Sequence, residues 1–383
     1  VPEQAPGENI MANTAVAAGL TVQQWDEKFY TEYIRANRFK RYMGTDENAI
    51  IQMKEDLTTK PGKTVTYALV NALTGAGKRG SATLVGQEEK MNSRSCAVTV
   101  DKIRNAVVVP EIDEQYSAIG LRDAGKVVLK DWVLRLTKSD IITALGMVSG
   151  DYAAGIKTIW QATDAGAITA AQDAWVTANV DRVLFGAAVS NYSTTFATAV
   201  GNVDDSGDLP TYARLNLMKS LAKLASPAIR PTMVNGDEEW YTVFCGSKAF
   251  KRFSEDATIV GFNKDARVRG LDNPLFTGDS LIANGMIIRE IPEITDLAIS
   301  GGTSADVSPV FLCGAQALGF AVAQRSKTIT DDTDYGDKQG VAVQEIRGIQ
   351  KLMFGTDASV DTTTKKDNGI FTGFFACPAL ASA

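Results

Sequence analysis

The chain has 383 residues, 45% apolar and 22% charged, enough apolar content for a real core and a length that suggests two or three structural units. Its 39 basic residues against 45 acidic ones leave a net charge of −6, which argues against a protein that grips nucleic acid by its phosphates, though not against a surface that merely faces DNA. It contains no histidine, so Ser-His-Asp and Cys-His nucleophile systems and histidine-bearing zinc sites are excluded within this chain. Carboxylate, lysine or tyrosine chemistry stays open.

Residues 1–20 are small and polar and read as a flexible arm. Met11-Ala-Asn-Thr resembles a second translation start, so residues 1–10 read either as an extension or as the product of trimming. Residues 22–36 have helical spacing, with Trp25, Phe29 and Tyr33 beside Val22, Tyr30 and Ile34. Arg35, Arg38, Lys40 and Arg41 cluster at and beyond its end. That cluster reads as a solvated or dipole-compensating helix end, with a contact to an acidic neighbour or to packaged nucleic acid as the functional alternative. Residues 49–53 form a short strand.

Residues 61–109 are the least ordinary part of the chain. The run Lys63-Thr-Val-Thr-Tyr-Ala-Leu-Val70 alternates, with Val65, Tyr67 and Leu69 on one face; Cys96, Val98 and Val100 share a face in the second run. Between them lies a glycine-rich, charged stretch with no helical period. Extended from Pro61 to the glycines, at ~3.3 Å per residue, the first arm spans about 50 Å. The radius of gyration of a compact chain of this length is roughly 21 Å. The hairpin therefore either crosses its own core or projects. A projecting two-stranded hairpin is marginal alone in water and needs a partner surface. The arm by itself does not choose between the two.

Residues 118–146 read as one long helix, with Leu121, Gly125, Val128, Trp132 and Leu136 along one side, joined by Leu129 and Val133. It would be roughly 40 Å long at 1.5 Å per residue. Residues 209–225 form a second helix with a stripe of Leu217, Leu221 and Leu224. Asn235-Gly236 and Asn284-Gly285 are turn signals before strands at 240–245 and 286–291; residues 247–256 are a short helix; 310–313, 317–323 and 340–354 carry further strand-like runs. Strands far apart in sequence without a βαβ rhythm indicate an α+β fold. No segment reaches the ~20 apolar residues that span a bilayer.

Candidate chemistry is thin. Gly75-Ala-Gly-Lys-Arg-Gly80 fits G-x-G-x-x-G, but no helix opens after it, and Arg79 stands where a phosphate loop needs Ser or Thr. A hairpin tip accounts for these glycines better than a nucleotide site. Asp331-Asp-Thr-Asp-Tyr-Gly-Asp337 misses the calcium-loop spacing and reads as a solvated turn, as do Asp204, Asp205 and Asp208. Cys96, Cys245, Cys313 and Cys377 have no paired spacing; Cys245 and Cys313 read as core residues of a chain from a reducing compartment. No catalytic, cofactor or metal residue is assigned.

A family resemblance rests on Trp25-Asp-Glu-Lys-Phe29, Arg38-Phe-Lys-Arg-Tyr-Met-Gly44 and Glu47-Asn-Ala-Ile-Ile-Gln-Met-Lys-Glu-Asp-Leu57. It continues through Leu73-Thr-Gly-Ala-Gly77, Glu88-Glu89, Arg104-Asn-Ala-Val107, Leu121-Arg-Asp-Ala-Gly125 and Asp131-Trp132, and returns in Asp334-Tyr-Gly336, Gly340-Val-Ala-Val343 and Glu345-Ile-Arg-Gly-Ile-Gln-Lys351. In these segments the chain resembles major capsid proteins of tailed bacteriophages, the branch of coliphage N-four in particular. The segment Val85-Gly-Gln-Glu-Glu89 departs from the expected Glu-Gly-Asn-Glu-Glu. The resemblance implies the Hong Kong 97-type capsid fold. Its parts would be an N-terminal arm and helix (1–44), a strand leading into the peripheral domain (45–60), an extended hairpin or E-loop (61–109) and a peripheral-domain spine helix (110–150). An axial domain (about 151–290) would follow, then strands returning to the peripheral domain with the C-terminal segment (291–383).

The same resemblance implies self-assembly into hexamers and pentamers of an icosahedral head around double-stranded DNA. Portal and scaffolding proteins, with or without a cement protein, would be further partners, without a membrane and without sequence-specific DNA contacts. Assembly would take place in the bacterial host cytoplasm and the product would be the virion capsid. Candidate contacts between subunits are Val65, Tyr67, Leu69, Leu73, Lys78, Arg79, Leu84, Glu88 and Glu89. Trp25, Phe29, Arg35, Arg38, Lys40 and Arg41 are candidates for arm contacts or the interior face. A nanocompartment shell of the same fold is the nearest alternative, and a nucleotide-binding enzyme using residues 75–80 a remoter one.

Overall fold

The computed structural model describes residues 38–377, apart from 59–61, 71–72, 74, 76, 82, 86–87, 90, 92, 118, 152–154, 163–165, 235, 237, 266–279 and 356–364. The sequence-predicted helix at 22–36 lies outside the described residues.

Two mixed sheets and one hairpin organise the chain. The first sheet runs Met43–Gly44, Ile51–Lys54, Leu318–Thr333, Lys338–Lys351 and Asp101–Pro110 in spatial order. Its two longest strands form an antiparallel pair from Leu318 opposite Lys351 to Thr333 opposite Lys338, irregular between Val322 and Lys327. Their turn carries positive φ at Asp334, Tyr335 and Gly336, and Tyr335 stands fully exposed at its end. The solvated turn expected at 331–337 is this hairpin end. Asp101–Pro110 pairs with Lys338–Lys351, so the chain leaves the extended hairpin at Thr99 and enters the sheet ten residues earlier than the pattern suggested.

The long helix, Leu121–Leu145, lies against that sheet. Leu129 is buried with Val341 and Val343, and Val107 and Val133 flank them. Gly125 faces Val107, and a Cβ there would meet it at 3.5 Å, an ordinary contact distance. Val128 is exposed instead of buried, because it sits on the flank of the Gly125–Leu129 stripe. The last two turns, with Ile141, Ile142, Ala144 and Leu145, sink into the main core.

The second sheet runs Ser280–Ala283, Met286–Glu290, Glu238–Cys245, Val307–Cys313, Ile370–Ala376 and Val183–Phe185, with Thr232–Val234 beside the start of Glu238–Cys245. Every residue of Val307–Cys313 and Ile370–Ala376 is buried, as strands covered on both faces require. These two strands belong to the second sheet, whereas Leu318–Thr333 and Lys338–Lys351 belong to the first. Strand pairing over such separations leaves no local mark in the sequence. Helix Tyr212–Leu224 covers one face with Leu215, Met218 and Ala222, while Leu217 and Leu221 are partly buried. Leu224, the last residue of the helix, is exposed. The other face joins a core that also holds Phe39, Phe185, Phe196 and Phe374.

Two buried ionic groups tie these layers together. Lys351 Nζ reaches Asp367 Oδ2 at 3.0 Å with both side chains fully buried, and Trp175 Nε1 donates to the same carboxylate at 3.2 Å. Arg347 Nη2 reaches Asp140 Oδ2 on the long helix at 2.7 Å, and its Nε lies against Glu345 Oε1. Removing one member of such a group leaves an uncompensated buried charge, which costs about 3–5 kcal/mol.

Burial pushes the Asp140 carboxyl up from 3.8 to about 6, against the lowering pull of Arg347. A carboxyl that binds its proton more tightly in the folded state gives stability that is complete below its unfolded value. That contribution is lost as pH rises through the folded one. The wild-type unfolding free energy minus that of Asp140→Asn should therefore fall by about 1–3 kcal/mol between about pH 4 and about pH 7. Urea titrations across that range check it; a difference that is flat or rises with pH contradicts the assignment.

Candidate assembly surface

The hairpin is built from Thr64–Val70 and Ser93–Thr99, antiparallel from Thr64 opposite Thr99 to Val70 opposite Ser93. Alternation puts Val65, Tyr67, Cys96 and Val98 on one face, as the pattern required. That face packs on Ala321, Leu352 and Phe354 of the same chain. Tyr67 is 3% exposed; its hydroxyl donates to the carbonyls of Gln52 at 3.1 Å and Phe320 at 3.3 Å, and Lys54 Nζ sits 4.3 Å from its ring centre. Burial drives the Tyr67 phenol well above its ordinary range. Arg94 Nη1 donates to the Gly355 carbonyl at 2.7 Å. Gly348 is needed for close approach, because a Cβ there would lie 2.0 Å from the Thr99 carbonyl oxygen.

Val65 and Tyr67 are therefore not free to bind a neighbour. Their face is satisfied at home by the returning strands, which are more than 240 residues away in sequence. Leu69 is half-buried at the margin. The hairpin changes character beyond Val70. Leu73, Lys78, Arg79, Leu84, Val85, Glu88, Glu89 and Met91 are all exposed, Leu84 to 58% and Val85 to 82%. No helix or strand is formed by the described residues of 73–91. Gly75 N–H donates to Glu89 Oε2 at 2.7 Å and ties the two arms together. Gly77 and Gly80 take positive φ, which suits glycine. Residues 75–80 thus form part of an exposed tip with no following helix, which is not the setting of a dinucleotide site.

Of the arm candidates, Trp25, Phe29 and Arg35 lie outside the described residues. Arg38 Nη1 donates to the Glu290 carbonyl at 2.6 Å, so it is engaged within its own chain. Phe39 beside it is buried against Phe244, with ring centres 5.1 Å apart. Lys40 and Arg41 are both exposed.

The acidic loops carry turn chemistry. Asp204 accepts from the Gly207 and Ser206 amides, which hold its carboxyl below the usual range, and Asp208 accepts from Ala187 at 2.5 Å and Asp204 at 3.0 Å. Among the described residues, no group of three or more Cys, Asp and Glu is placed to hold a metal ion. The four cysteines are buried, and burial pushes the Cys377 thiol up to about 12. What sequence reasoning missed is the pair of buried ionic groups. Glu345, Arg347, Ile349 and Lys351 alternate along one strand, and charged residues on its inward-facing side were the available signal.

A phage capsid protein family matches residues 13–373. The major capsid protein of Pseudomonas phage KPP25 is 27% identical over 366 residues, covering 90% of this chain and 93% of that one. The capsid asymmetric unit of cyanophage Pam1 superposes with a TM-score of 0.83 at 33% identity, over 97% of this chain and 100% of that one. The capsid of Ralstonia phage GP4 gives 0.72 at 20% identity, over 97% and 100%. The chain belongs to the phage capsid protein family, with a mixed α+β fold that matches phage capsid structures. It is a major capsid protein, a structural component of the bacteriophage virion.

The division between a buried root and an exposed tip has a stability signature. Tyr67→Ala should destabilise the isolated chain by about 3–5 kcal/mol. Leu84→Ala and Val85→Ala should change it by no more than about 0.5 kcal/mol. Chemical denaturation of the three variants measures both, and equal losses at root and tip would contradict the division.

Proposed function

We propose that copies of this chain join into hexamers and pentamers and then into a closed icosahedral head around double-stranded DNA, with each hairpin tip lying over a neighbouring copy. The observation that carries this reading is the contrast within one hairpin. Its root is held rigidly by its own chain, while its tip presents Leu73, Leu84, Val85 and Met91 to solvent. Several hundred Å2 of apolar area per tip, at roughly 25 cal/mol per Å2, would contribute on the order of 10 kcal/mol gross, offset in large part by the cost of association. Repetition around a closed shell multiplies what remains.

In Hong Kong 97-type terms, the hairpin is the E-loop, Leu121–Leu145 the spine helix of the peripheral domain, and the second sheet the axial domain. The likeness to the coliphage N-four branch belongs to this proposal. Leu73, Lys78, Arg79, Leu84, Glu88 and Glu89 remain as contacts between subunits. Lys40 and Arg41, with Trp25, Phe29 and Arg35, belong to an arm or interior face. Portal and scaffolding proteins are further partners, with a cement protein as an optional one, and assembly takes place in the host cytoplasm. The net charge of −6 suits a wall that confines DNA without adhering to it.

Deleting residues 74–90 should leave a soluble, folded subunit that forms no closed particles. Negative-stain microscopy of wild type and deletion reads the outcome. Phage-head-sized particles from wild type alone support the proposal, and normal particles from the deletion contradict it. Small uniform shells from wild type would favour a nanocompartment.

A further inference from the structure

We propose that the outward face of the long helix is a seat for the N-terminal arm of the same chain, with Trp25 and Tyr33 lying over Val127 and Leu134. This seat belongs to the single subunit and forms without assembly. Helix Leu121–Leu145 turns Leu129 toward the first sheet, where it is buried with Val341 and Val343. On the side away from that sheet, about two turns apart, Val127 and Leu134 are 39% and 46% exposed, and Val128 beside them is 53% exposed. Lys130 and Arg135 flank this stripe on its two sides, exposed and without an ion pair among the described residues. Lys126, next to Lys130, pairs with Asp123 of its own helix at 2.9 Å. A helix face that is apolar along its middle and basic at both edges fits a second helix that is apolar along its middle and acidic at both edges.

The arm leaves the described chain at one end of this stripe. Arg38 Nη1 donates to the Glu290 carbonyl at 2.6 Å, and three residues on, Glu293 Oε1 accepts from Lys138 Nζ of the long helix at 2.6 Å. Phe39 shares a core with Ile141 and Ile142. The segment before Arg38 therefore begins near the level of Lys138. From Lys138 back to Val127 is about 17 Å along the helix, and a helix over 22–36 is about 22 Å long. Running back along the stripe, it lies parallel to the long helix, with Tyr33 level with Leu134 and Trp25 close to Val127.

The charges agree with that alignment. In the helical spacing of 22–36, Trp25, Phe29 and Tyr33 form one face, and Asp26 and Glu32 lie ~60° to either side of Phe29. With the two helices parallel and face to face, Asp26 comes to the edge that carries Lys126 and Lys130. Glu32 comes to the opposite edge, beside Arg135, where Lys28 is level with Asp131. The arm of a second copy offers the same side chains, but the short path from Arg38 favours the arm of the same chain.

The test uses the full-length free subunit. Leu134→Cys places a thiol on the stripe, while the four native cysteines are buried. Maleimide should label it about tenfold more slowly than in the same protein carrying Trp25→Asp and Phe29→Asp, as expected for a site that reacts only when a docked segment opens. Circular dichroism establishes that both proteins are folded. Equal labelling rates overturn the seat. Tyr33→Cys with Leu134→Cys, oxidised at low protein concentration, identifies the occupant. The expected product is a disulfide within one chain, found by peptide mass spectrometry in a band that runs as a monomer. Covalent dimers overturn the same-chain assignment, and the absence of any disulfide overturns the parallel alignment. Neither measurement requires shells, so a failure of assembly leaves both readable.

Discussion

The seating of the hairpin root on the returning strands governs the rest of this molecule. Tyr67 is the centre of that contact. Its ring lies over Gly319, where a Cβ would come within 3.1 Å of the ring, and its hydroxyl satisfies two carbonyls of the first sheet. Arg94 of the other hairpin strand, and the close approach of Thr99 to Gly348 beneath it, complete the seat. A two-stranded ribbon has no stability of its own in water. Docked at its root, it becomes a rigid lever whose far end is held out at a fixed place.

That lever needs a firm base, and the buried ionic groups supply one. Strand Lys338–Lys351 meets the hairpin through Gly348 and Ile346 on one face. On the other it meets the long helix through Arg347 and Asp140, and its end is pinned to Asp367 through Lys351. Fully apolar replacements could be as stable. The charged groups instead fix which residues pair, and so fix the register of the strand that carries both the hairpin and the helix. This is a requirement for a subunit whose copies must all present the same surface.

Sequence reasoning reached the local elements and stopped at the long-range ones. The alternation of Val65, Tyr67 and Leu69 showed that one hairpin face had to be buried, but a period of two says nothing of what buries it. The partners Ala321, Leu352 and Phe354 lie more than 240 residues downstream, so the pattern could not decide between a sibling and the chain itself. For the root the structure gives the chain itself as the answer, and it leaves Leu73, Leu84, Val85 and Met91 of the tip exposed. The long helix was legible because its apolar residues recur at helical spacing over about seven turns, although Val128 was assigned to the wrong side. Asp101–Pro110 was hidden because it is an edge strand with most of its residues exposed and thus lacks alternation. Val307–Cys313 was visible in part, as the run at 310–313, but its membership of the second sheet depends on pairing with Ile370–Ala376 and Glu238–Cys245. The glycines and charges at 75–80 marked a stretch whose described residues are exposed and outside any helix or strand, with positive φ at Gly77 and Gly80.

Hydrogen exchange of the free subunit compared with assembled particles measures the division between root and tip most directly. The account predicts that amides of Thr64–Val70 and Ser93–Thr99 are protected to the same degree in both states, while amides within 73–91 exchange fast in the subunit and slow down only in the particle. A tip already protected in the free subunit, or a root that gains protection only on assembly, would contradict it.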